Sequence, residues 1–505
     1  MYRIIITALL LSISSVTTIK ATDQISKLTE LAKLQHFLFY TTNLNKTKDH
    51  HAIFINMIDN CLKNDNIEAE AKNIIKTNHL LLFKKSVDSS CIPFRFSDFD
   101  INNLIATFPV DKIINKWNSD NFYFEKKFEK KHPLSNLSTK LYILFYVKGV
   151  LDHEYAYSKE KQTVSDTAFR VALSYTLQNK YSFNKTLQNM LVKLKDPHLI
   201  LNDNSYKDSM TDIVRKDSLL LFPFDFKVYK QSIYAIERKT KQVYLLDSID
   251  SYSSKNLCDS VLFFASSNNE EQNEQNILLH ISYSFFKSGY HRFSLLDTIH
   301  HKKISINVKR EAIEAKAHSQ LYRNNYLPNF LKSKKRLNFS RLTNREFINF
   351  FNSLNEGDTV VIDFSGYPTR HISALLKLLP ESEKPVAIGF FSSHTPGCFL
   401  NKEVYTYNSK KVKNRIAKKN ITIYGRVNCY TGSYVETSVM ILKTYLPNFI
   451  TIGSPTAGAM GTINWKELPG GVRFSYPYHK FEFIDKNQVN KYSQIIPDIL
   501  YYNNF

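Results

Sequence analysis

The last third of the chain alternates two kinds of pattern. Short runs of β-branched and other apolar residues predict four buried strands, at 359–364, 385–391, 420–425 and 450–453. Between the last two runs, apolar residues from Val435 to Leu446 recur at helical spacing and predict a helix. Residues 372–379 predict another helix, which Pro380 ends. Strands that alternate with helices in this way indicate an α/β fold with a mostly parallel sheet.

The regions upstream are helical first and mixed afterwards. Apolar residues one turn apart predict helices from Thr22 to about Phe83, and a mixed, irregular stretch follows up to residue 135. Two further amphipathic helices are predicted, one around residues 141–150 and one around residues 187–194. The divisions predicted from these patterns are 1–21, 22–135, 136–215, 216–310 and 311–505.

The division 216–310 carries the pattern of a mixed α+β unit. Its strand-like runs lie at 219–229, 233–238 and 243–247. Residues 256–264 predict a helix, and the polar stretch 267–276 predicts a loop. A further helix is predicted at 312–321, where the last division begins.

The N-terminus has the pattern of an export signal. A basic tip, Met1 to Arg3, precedes an apolar run that ends near Ile19 and is too short for a comfortable membrane span. We expect cleavage near Ala21 and an exported protein, which is periplasmic, attached to the cell envelope or secreted. An uncleaved N-terminal anchor is the alternative, and it is the only membrane contact that the sequence indicates.

Net charge and cysteine content bear on whether the chain binds nucleic acid or metal or forms disulfides. The formal net charge is +21, from 67 Lys+Arg against 46 Asp+Glu. Because the lysines are scattered and no nucleic-acid-binding motif accompanies them, they predict a solvated surface and no nucleic-acid partner. The five cysteines are odd in number and none forms a close pair, so they indicate neither a metal site nor a disulfide-dense small fold. We expect no cofactor. A Cys61–Cys91 or a Cys398–Cys429 disulfide stays open in an exported protein.

Ser433 lies where the predicted strand at 420–425 gives way to the predicted helix. The amides of a helix's first turn have no intrahelical partners, so they are able to stabilise an oxyanion beside a nucleophile. The alternative is that Ser433 only caps the helix, which is the commonest role of a serine at that position.

Two linked motifs add a resemblance to a known family. Residues 432–436 read Gly-Ser-Tyr-Val-Glu, and residues 453–459 read Gly-Ser-Pro-Thr-Ala-Gly-Ala. This pair resembles the C-terminal processing (tail-specific) serine peptidases, in which a Ser-x-x-Glu motif carries the nucleophile and a Gly-x-x-Thr-x-Gly loop follows it. Leu-Pro-Gly-Gly at 468–471 and Ile-Pro-Asp-Ile at 496–499 resemble that family's closing hairpin and terminal Pro-Asp. The resemblance implies a crotonase-like peptidase core.

The resemblance also implies which residues act. Ala459 stands where the lysine-dependent branch carries its base, so the chain is more similar to the tricorn-like branch, whose base is a distant histidine. There an Asp-x-His segment closes a helical piece, and Asp-Pro-His at 196–198 matches it with His198 as general base. No acid occurs at 489–494, where that branch carries a glutamate that orients the histidine. Glu436, one turn after Ser433, is our substitute for that orienting acid. The alternative is that Glu436 is an N-terminal helix charge favoured by the helix dipole.

The oxyanion site departs from the family pattern. The family's Asp-x-Arg-x-Asn-x-Gly-Gly is replaced by Asp-Phe-Ser-Gly-Tyr-Pro at 363–368. We expect the amides of Gly366 and Tyr434 to face the oxyanion. A second serine–histidine pair, Ser365 and His371, is a weaker alternative for the catalytic pair.

The resemblance therefore implies a serine endopeptidase that cuts peptide or protein substrates without a cofactor, and the N-terminal pattern predicts that it is exported. Ser433 and His198 are expected to meet in one cleft, with the serine oxygen about 3 Å from an imidazole nitrogen or somewhat further in an unliganded state. The family often carries a small PDZ domain at the position of residues 216–310, but its carboxylate-binding loop is not visible here. The alternative function is an inactive homologue that binds peptide or cell-envelope components.

Overall fold

The computed structural model describes residues 23–39, 50–64, 66–78, 80, 132–203, 218–265, 267–284, 289–314, 327–339, 343–366, 377, 379, 387–391, 401–405, 420–469, 472–483 and 494–501. The predicted signal segment 1–21 and most of the predicted helix 372–379 lie outside these residues. Cys91, Cys398 and His371 also lie outside them, so both disulfide pairings stay predictions.

The N-terminal part is helical. Its helices are α1 (23–39), α2 (His50–Asn64), α3 (Ile67–Thr77), α4 (Leu137–His153), α5 (Ser158–Leu177) and α6 (Phe183–Val192). The prediction of an amphipathic helix around 141–150 was wrong in kind, because α4 is buried on nearly every side. Its Lys148 is buried as well, and its ammonium lies 2.8 Å from Asp166 and bonds Asp152. Helix α5 packs against α4 and accounts for part of this burial.

A mixed unit follows the short strand β1 (Leu201–Asp203). Its elements are β2 (Ser218–Leu221), β3 (Phe224–Tyr229), β4 (Ser232–Glu237), β5 (Val243–Ile249), β6 (Tyr252–Ser253), α7 (Ser254–Ala265), α8 (Glu270–Leu279), a π-helical turn (His280–Ser284), β7 (Tyr290–Asp297), β8 (Lys303–Lys309) and β9 (Glu311–Glu314). Strands β3, β4, β5, β7 and β8 form an antiparallel sheet in that order, and β6 pairs with β5. The apolar sides of α7 and α8 pack on it.

Two predictions in this region were wrong. The polar stretch 267–276 is not a loop, because α8 begins at Glu270 after Asn269, whose side chain accepts a hydrogen bond from Gln272 N–H. The helix predicted at 312–321 is not present in its described part, since β9 pairs antiparallel with β2. The apolar pattern is weak in both segments. The Asn269 cap therefore determines where α8 begins, and pairing with the distant strand β2 determines that residues 311–314 form a strand.

The C-terminal part contains a five-stranded parallel sheet. Its elements are α9 (Asn329–Lys332), β10 (Lys335–Asn338), α10 (Asn344–Asn352), β11 (Thr359–Asp363), β14 (Thr422–Val427), α11 (Tyr434–Tyr445), β15 (Phe449–Gly453) and β18 (Ile499–Leu500). The strand order is β10-β11-β14-β15-β18, with every neighbouring pair parallel. Helix α11 buries Val435, Val439 and Leu442 in the core of this unit. Each such side chain contributes roughly 1.5–3 kcal/mol when fully buried.

A second sheet of this part is antiparallel. Strands β12 (Ala387–Phe391), β13 (Asn401–Tyr405), β16 (Thr462–Leu468) and β17 (Val472–Phe483) form it together with β1. The strand predicted at 385–391 therefore exists as β12, but it pairs antiparallel with β13 and β17 instead of joining the parallel sheet. The fold is mixed α/β, with one parallel sheet and several antiparallel ones.

Strand β1 is the connection that matters for the site. It follows the segment around His198 directly, and Leu201 pairs with Phe474 of β17. Within the described residues, no helix has both the length and the apolar character that crossing a membrane requires. Nor do three or more metal-binding side chains come together anywhere in that part of the chain.

Candidate active site

The turn between β14 and α11 holds Ser433 in an unusual backbone conformation. Ser433 has φ 55° and ψ −122°, and helix α11 begins at the next residue. Ser433 is the N-cap residue of α11, and Glu436 accepts from its N–H as in a capping box. Its angles are nevertheless not the β-region angles usual for an N-cap but those of a type II′ turn, which favours glycine. Such a conformation costs about 1–3 kcal/mol for a residue with a Cβ and persists only where its surroundings enforce it.

Packing on both sides enforces this turn. The Thr431 hydroxyl donates to the Phe364 carbonyl at 3.0 Å and accepts from Asn428 N–H at 3.0 Å. Ala457 N–H donates to the Thr431 carbonyl at 2.9 Å. Gly432 is needed for close approach, since a Cβ there would lie 3.2 Å from the Ala457 Cβ. The turn of Ser433 is thus held between the end of β11 and the loop after β15.

The Glu436 carboxylate also holds the turn of Ser433. It is fully buried and accepts hydrogen bonds from the N–H groups of Ser433, Gly458 and Ala459, at 2.9, 2.8 and 2.9 Å. It also accepts from the Thr456 hydroxyl. Burial raises the pKa of Glu436 to about 7, although these four donors favour its ionised form. One carboxylate therefore fastens the Ser433 turn to the loop of residues 454–461.

This arrangement corrects the role assigned to Glu436. Among the described residues its hydrogen bonds all go to the Ser433 turn and the 456–459 loop, and none goes to His198. The physical reason is local. Ser433 is the N-cap residue of α11 and Glu436 is the third residue of that helix. A glutamate at this third position folds back onto the backbone N–H of the N-cap residue.

His198 lies on the loop between α6 and β1. The loop is fastened to β17, because the Ser475 hydroxyl donates to the His198 carbonyl at 2.5 Å and Ser475 N–H donates to the Ile200 carbonyl at 3.0 Å. The side chain is buried, and its Nδ1 makes no hydrogen bond. Burial lowers the pKa of His198, which keeps the imidazole neutral at neutral pH and able to accept a proton.

The acid beside His198 is Asp196, which the sequence analysis had not given a role. Its Oδ1 accepts from His198 N–H at 2.8 Å and lies 3.9 Å from His198 Nδ1. Its Oδ2 accepts from the buried Tyr155 hydroxyl at 2.8 Å. The signal was available in the sequence, because Asp196 is the first residue of the Asp-Pro-His segment. Its hydrogen bond to Tyr155, 41 residues away, was not readable there.

A chain of hydrogen bonds connects the His198 loop with the Ser433 turn. Asn268 Nδ2 donates to the Lys195 carbonyl at 2.8 Å, and Asn269 Nδ2 donates to the Thr456 carbonyl at 2.9 Å. Thr456 in turn bonds Glu436, which holds Ser433 N–H. No direct hydrogen bond joins Ser433 and His198 among the described contacts.

The remaining predicted residues lie near the turn or outside the described chain. Gly366 is two residues after Phe364, whose carbonyl accepts from the hydroxyl of Thr431 in the Ser433 turn. Tyr434 is the first residue of α11. The Ser365 hydroxyl bonds Asp363 at 2.6 Å, and its alternative partner His371 is not among the described residues. The oxyanion roles of Gly366 and Tyr434 stay predictions.

Comparison with known proteins gives structural similarities only. No model of a known protein family matches the chain, and no curated protein sequence does. Mature CPAF complexed with lactacystin has a TM-score of 0.48 and 12% identity, over 72% of this chain and 93% of that one. The photosystem II D1 C-terminal processing protease has a TM-score of 0.37 and 11% identity, over the same shares of 72% and 93%. Tricorn protease has a TM-score of 0.34 and 14% identity, over 72% of this chain and 34% of that one.

Two of these three structures are named as proteases, and one of them as a C-terminal processing protease. This is the class of peptidase that the sequence motifs resemble. At such low identities and TM-scores, the similarities assign no role to any residue of this chain. The roles proposed below rest on its own sequence and geometry.

Proposed function

We propose that this chain is a serine endopeptidase of the C-terminal processing type, with a crotonase-like core, that hydrolyses peptide bonds through Ser433. The observation that carries the proposal is the left-handed backbone of Ser433 at a strand-to-helix turn. Strained turns of this kind expose a nucleophile and are maintained at functional sites. Export of the protein rests on the N-terminal sequence pattern alone.

In the proposed reaction His198 acts as the general base. The neutral imidazole takes the proton of the Ser433 hydroxyl while the serine oxygen attacks the carbonyl carbon of the substrate. The proton then passes to the leaving amine, and an acyl-enzyme remains. Water, deprotonated by the same imidazole, releases the acid product and restores Ser433. The Gly366 and Tyr434 amides are the proposed donors to the carbonyl oxygen as its charge develops.

The carboxylates have separate tasks in this scheme. Glu436 holds the backbone of the nucleophile, because its hydrogen bonds go to Ser433 N–H and to the 458–459 amides. Asp196 fixes the backbone of the base and places a negative charge 3.9 Å from its ring. That charge favours the imidazolium that forms during proton transfer.

The test is hydrolysis of an unfolded protein substrate by purified full-length protein. Ser433→Ala and His198→Ala should each lower kcat/KM by similar factors, about 10³ or more, because nucleophile and base act as a unit. Ser438→Ala is the matched control, since it removes a hydroxyl that bonds the Tyr434 carbonyl on the same helix. Hydrolysis that survives both site variants overturns the proposal. No hydrolysis by the unchanged chain favours the peptide-binding homologue instead.

A further inference from the structure

Two adjacent asparagines join the two halves of the proposed site. Asn268 Nδ2 donates to the Lys195 carbonyl at 2.8 Å, at the start of the His198 loop. Asn269 Nδ2 donates to the carbonyls of Pro455 and Thr456, both at 2.9 Å. These contacts bridge 73 and 187 residues of sequence. A single turn of the mixed unit thus contacts both the base loop and the loop that supports the nucleophile.

The carboxamide of Asn269 is fixed in place. It is 5% exposed, and its Oδ1 accepts from Gln272 N–H at 3.1 Å as the cap of α8. Its own N–H donates to the Ser267 hydroxyl at 3.1 Å. An N-cap needs only an acceptor, which serine or aspartate also supplies. Asparagine adds the two N–H donors that reach Pro455 and Thr456, so the choice of residue serves more than the helix.

The position of Thr456 is passed on to the nucleophile. Its hydroxyl accepts from Ile495 N–H at 2.9 Å and donates to Glu436. Glu436 holds Ser433 N–H at 2.9 Å. A displacement of Thr456 would therefore move the carboxylate that enforces the turn. The side chains of Thr456 and Glu436 are fully buried, and the Ser433 N–H bond is partly buried, so the loss of a partner in this chain is costly.

The base loop is held by a hydrogen bond at the surface, since the Asn268–Lys195 contact is exposed. Lys195 has a left-handed φ of 53°, and its N–H donates to the Val192 carbonyl at 2.9 Å. Asn268 holds the Lys195 carbonyl in this strained turn, directly before Asp196. A further contact joins the start of α8, beside the two asparagines, to the loop that supports the nucleophile, since the Ser454 hydroxyl donates to Glu271.

We propose that Asn268 and Asn269 are positioning residues that fix the His198 loop relative to the Ser433 turn. Their catalytic effect rests on the proposed function, whereas the mechanical coupling of the two loops does not. Active sites lose large factors in rate when reacting groups are misplaced by about 1 Å. The coupling is therefore expected to appear in kcat more than in KM.

The test combines hydrogen exchange with kinetics on the full chain. Asn269→Ser keeps a cap acceptor for α8 and removes both donors, and Asn268→Ala removes the other bond. Asn189→Ala is the matched control, because the Asn189 amide also donates to a carbonyl of the mixed unit, that of Phe263 at 2.9 Å. Among the described hydrogen bonds its side chain makes none to residues 195–200 or 454–461. Amide exchange is measured for peptides that cover 195–200 and 454–461, together with kcat, KM and thermal unfolding.

The coupling predicts that each asparagine variant accelerates exchange in both loops, by about tenfold, while the control accelerates it in neither. In an active protein kcat should fall by about tenfold or more, with KM changed less than about twofold. Acceleration confined to the loop that the replaced side chain contacts, or unchanged exchange in both loops, overturns the proposal. Coupled exchange without any peptidase activity in the unchanged chain leaves the coupling established and removes the proposed function.

Discussion

The buried Glu436 carboxylate accepts a 2.9 Å hydrogen bond from the backbone N–H of Ser433. The same carboxylate accepts from Gly458 and Ala459, so three backbone amides from two loops converge on one side chain. Glutamate at this position of a Ser-x-x-Glu motif therefore acts on the conformation of the serine and not on the base.

Relief of backbone strain is expected when Ser433 becomes glycine. Glycine adopts positive φ without a Cβ penalty, whereas alanine retains it. We expect Ser433→Gly to be more stable than Ser433→Ala by about 1 kcal/mol, after the greater freedom of glycine in the unfolded chain is offset. Urea unfolding of the two variants measures the difference. A Ser433→Gly variant that is less stable than Ser433→Ala would show that the turn is not strained.

Stability should depend on pH through Glu436. Its pKa is about 7 in the folded chain against a usual value of 4.5, so the folded state holds the proton more tightly than the unfolded one. Its contribution is therefore fully present below pH 4.5 and is lost as pH rises through 7, by up to about 3 kcal/mol. Glu436→Gln lacks this titration.

The measurement is the difference in unfolding free energy between the unchanged chain and Glu436→Gln, followed from acid to mildly alkaline pH. Other titrating groups largely cancel in this difference. As pH rises, the unchanged chain should lose stability relative to Glu436→Gln. A difference that is constant, or that grows with pH, contradicts a raised pKa at Glu436.

The charge of Asp196 should set the acid limb of activity. Burial lowers the pKa of His198, and the neighbouring Asp196 charge opposes that effect. Asp196→Asn removes the charge and keeps an acceptor for His198 N–H, so the pKa of His198 should fall further. We expect the acid limb of kcat/KM to move to lower pH, with a smaller kcat at the optimum.

Tyr155→Phe is the control for this prediction, because it removes the hydrogen bond to Asp196 and leaves the charge. Its acid limb should not move to lower pH. If Asp196→Asn leaves the limb in place or moves it upward, Asp196 does not act on the titration of the base.

Local sequence patterns predicted the elements of the parallel sheet best. Strands β11, β14 and β15 and helix α11 formed where β-branched runs and helical spacing predicted them. These elements are predictable from sequence because apolar residues recur with a regular period along one continuous segment. Strand β12 was also predicted, but the partners of a strand are set by distant residues, and it joined the antiparallel sheet.

Features fixed by distant contacts were missed or misread. Helix α8 was read as a loop because Asn, Gln and Glu dominate it, and its start depends on the Asn269 cap. The contact of Glu436 with the 458–459 amides and that of Asp196 with Tyr155 both depend on packing between separate segments. Sequence alone therefore indicated Ser433 and His198 as candidates, but it assigned Glu436 to the histidine and gave Asp196 no role.

Covalent labelling shows whether Ser433 is an activated nucleophile. The purified full-length protein is treated with a fluorophosphonate probe, and the modified residue is located by peptide mapping. The account predicts one adduct on Ser433, slower labelling of His198→Ala, and none on Ser433→Ala. An unlabelled Ser433 in the folded, unchanged chain, or equal labelling of the Ser433→Ala variant, would contradict it.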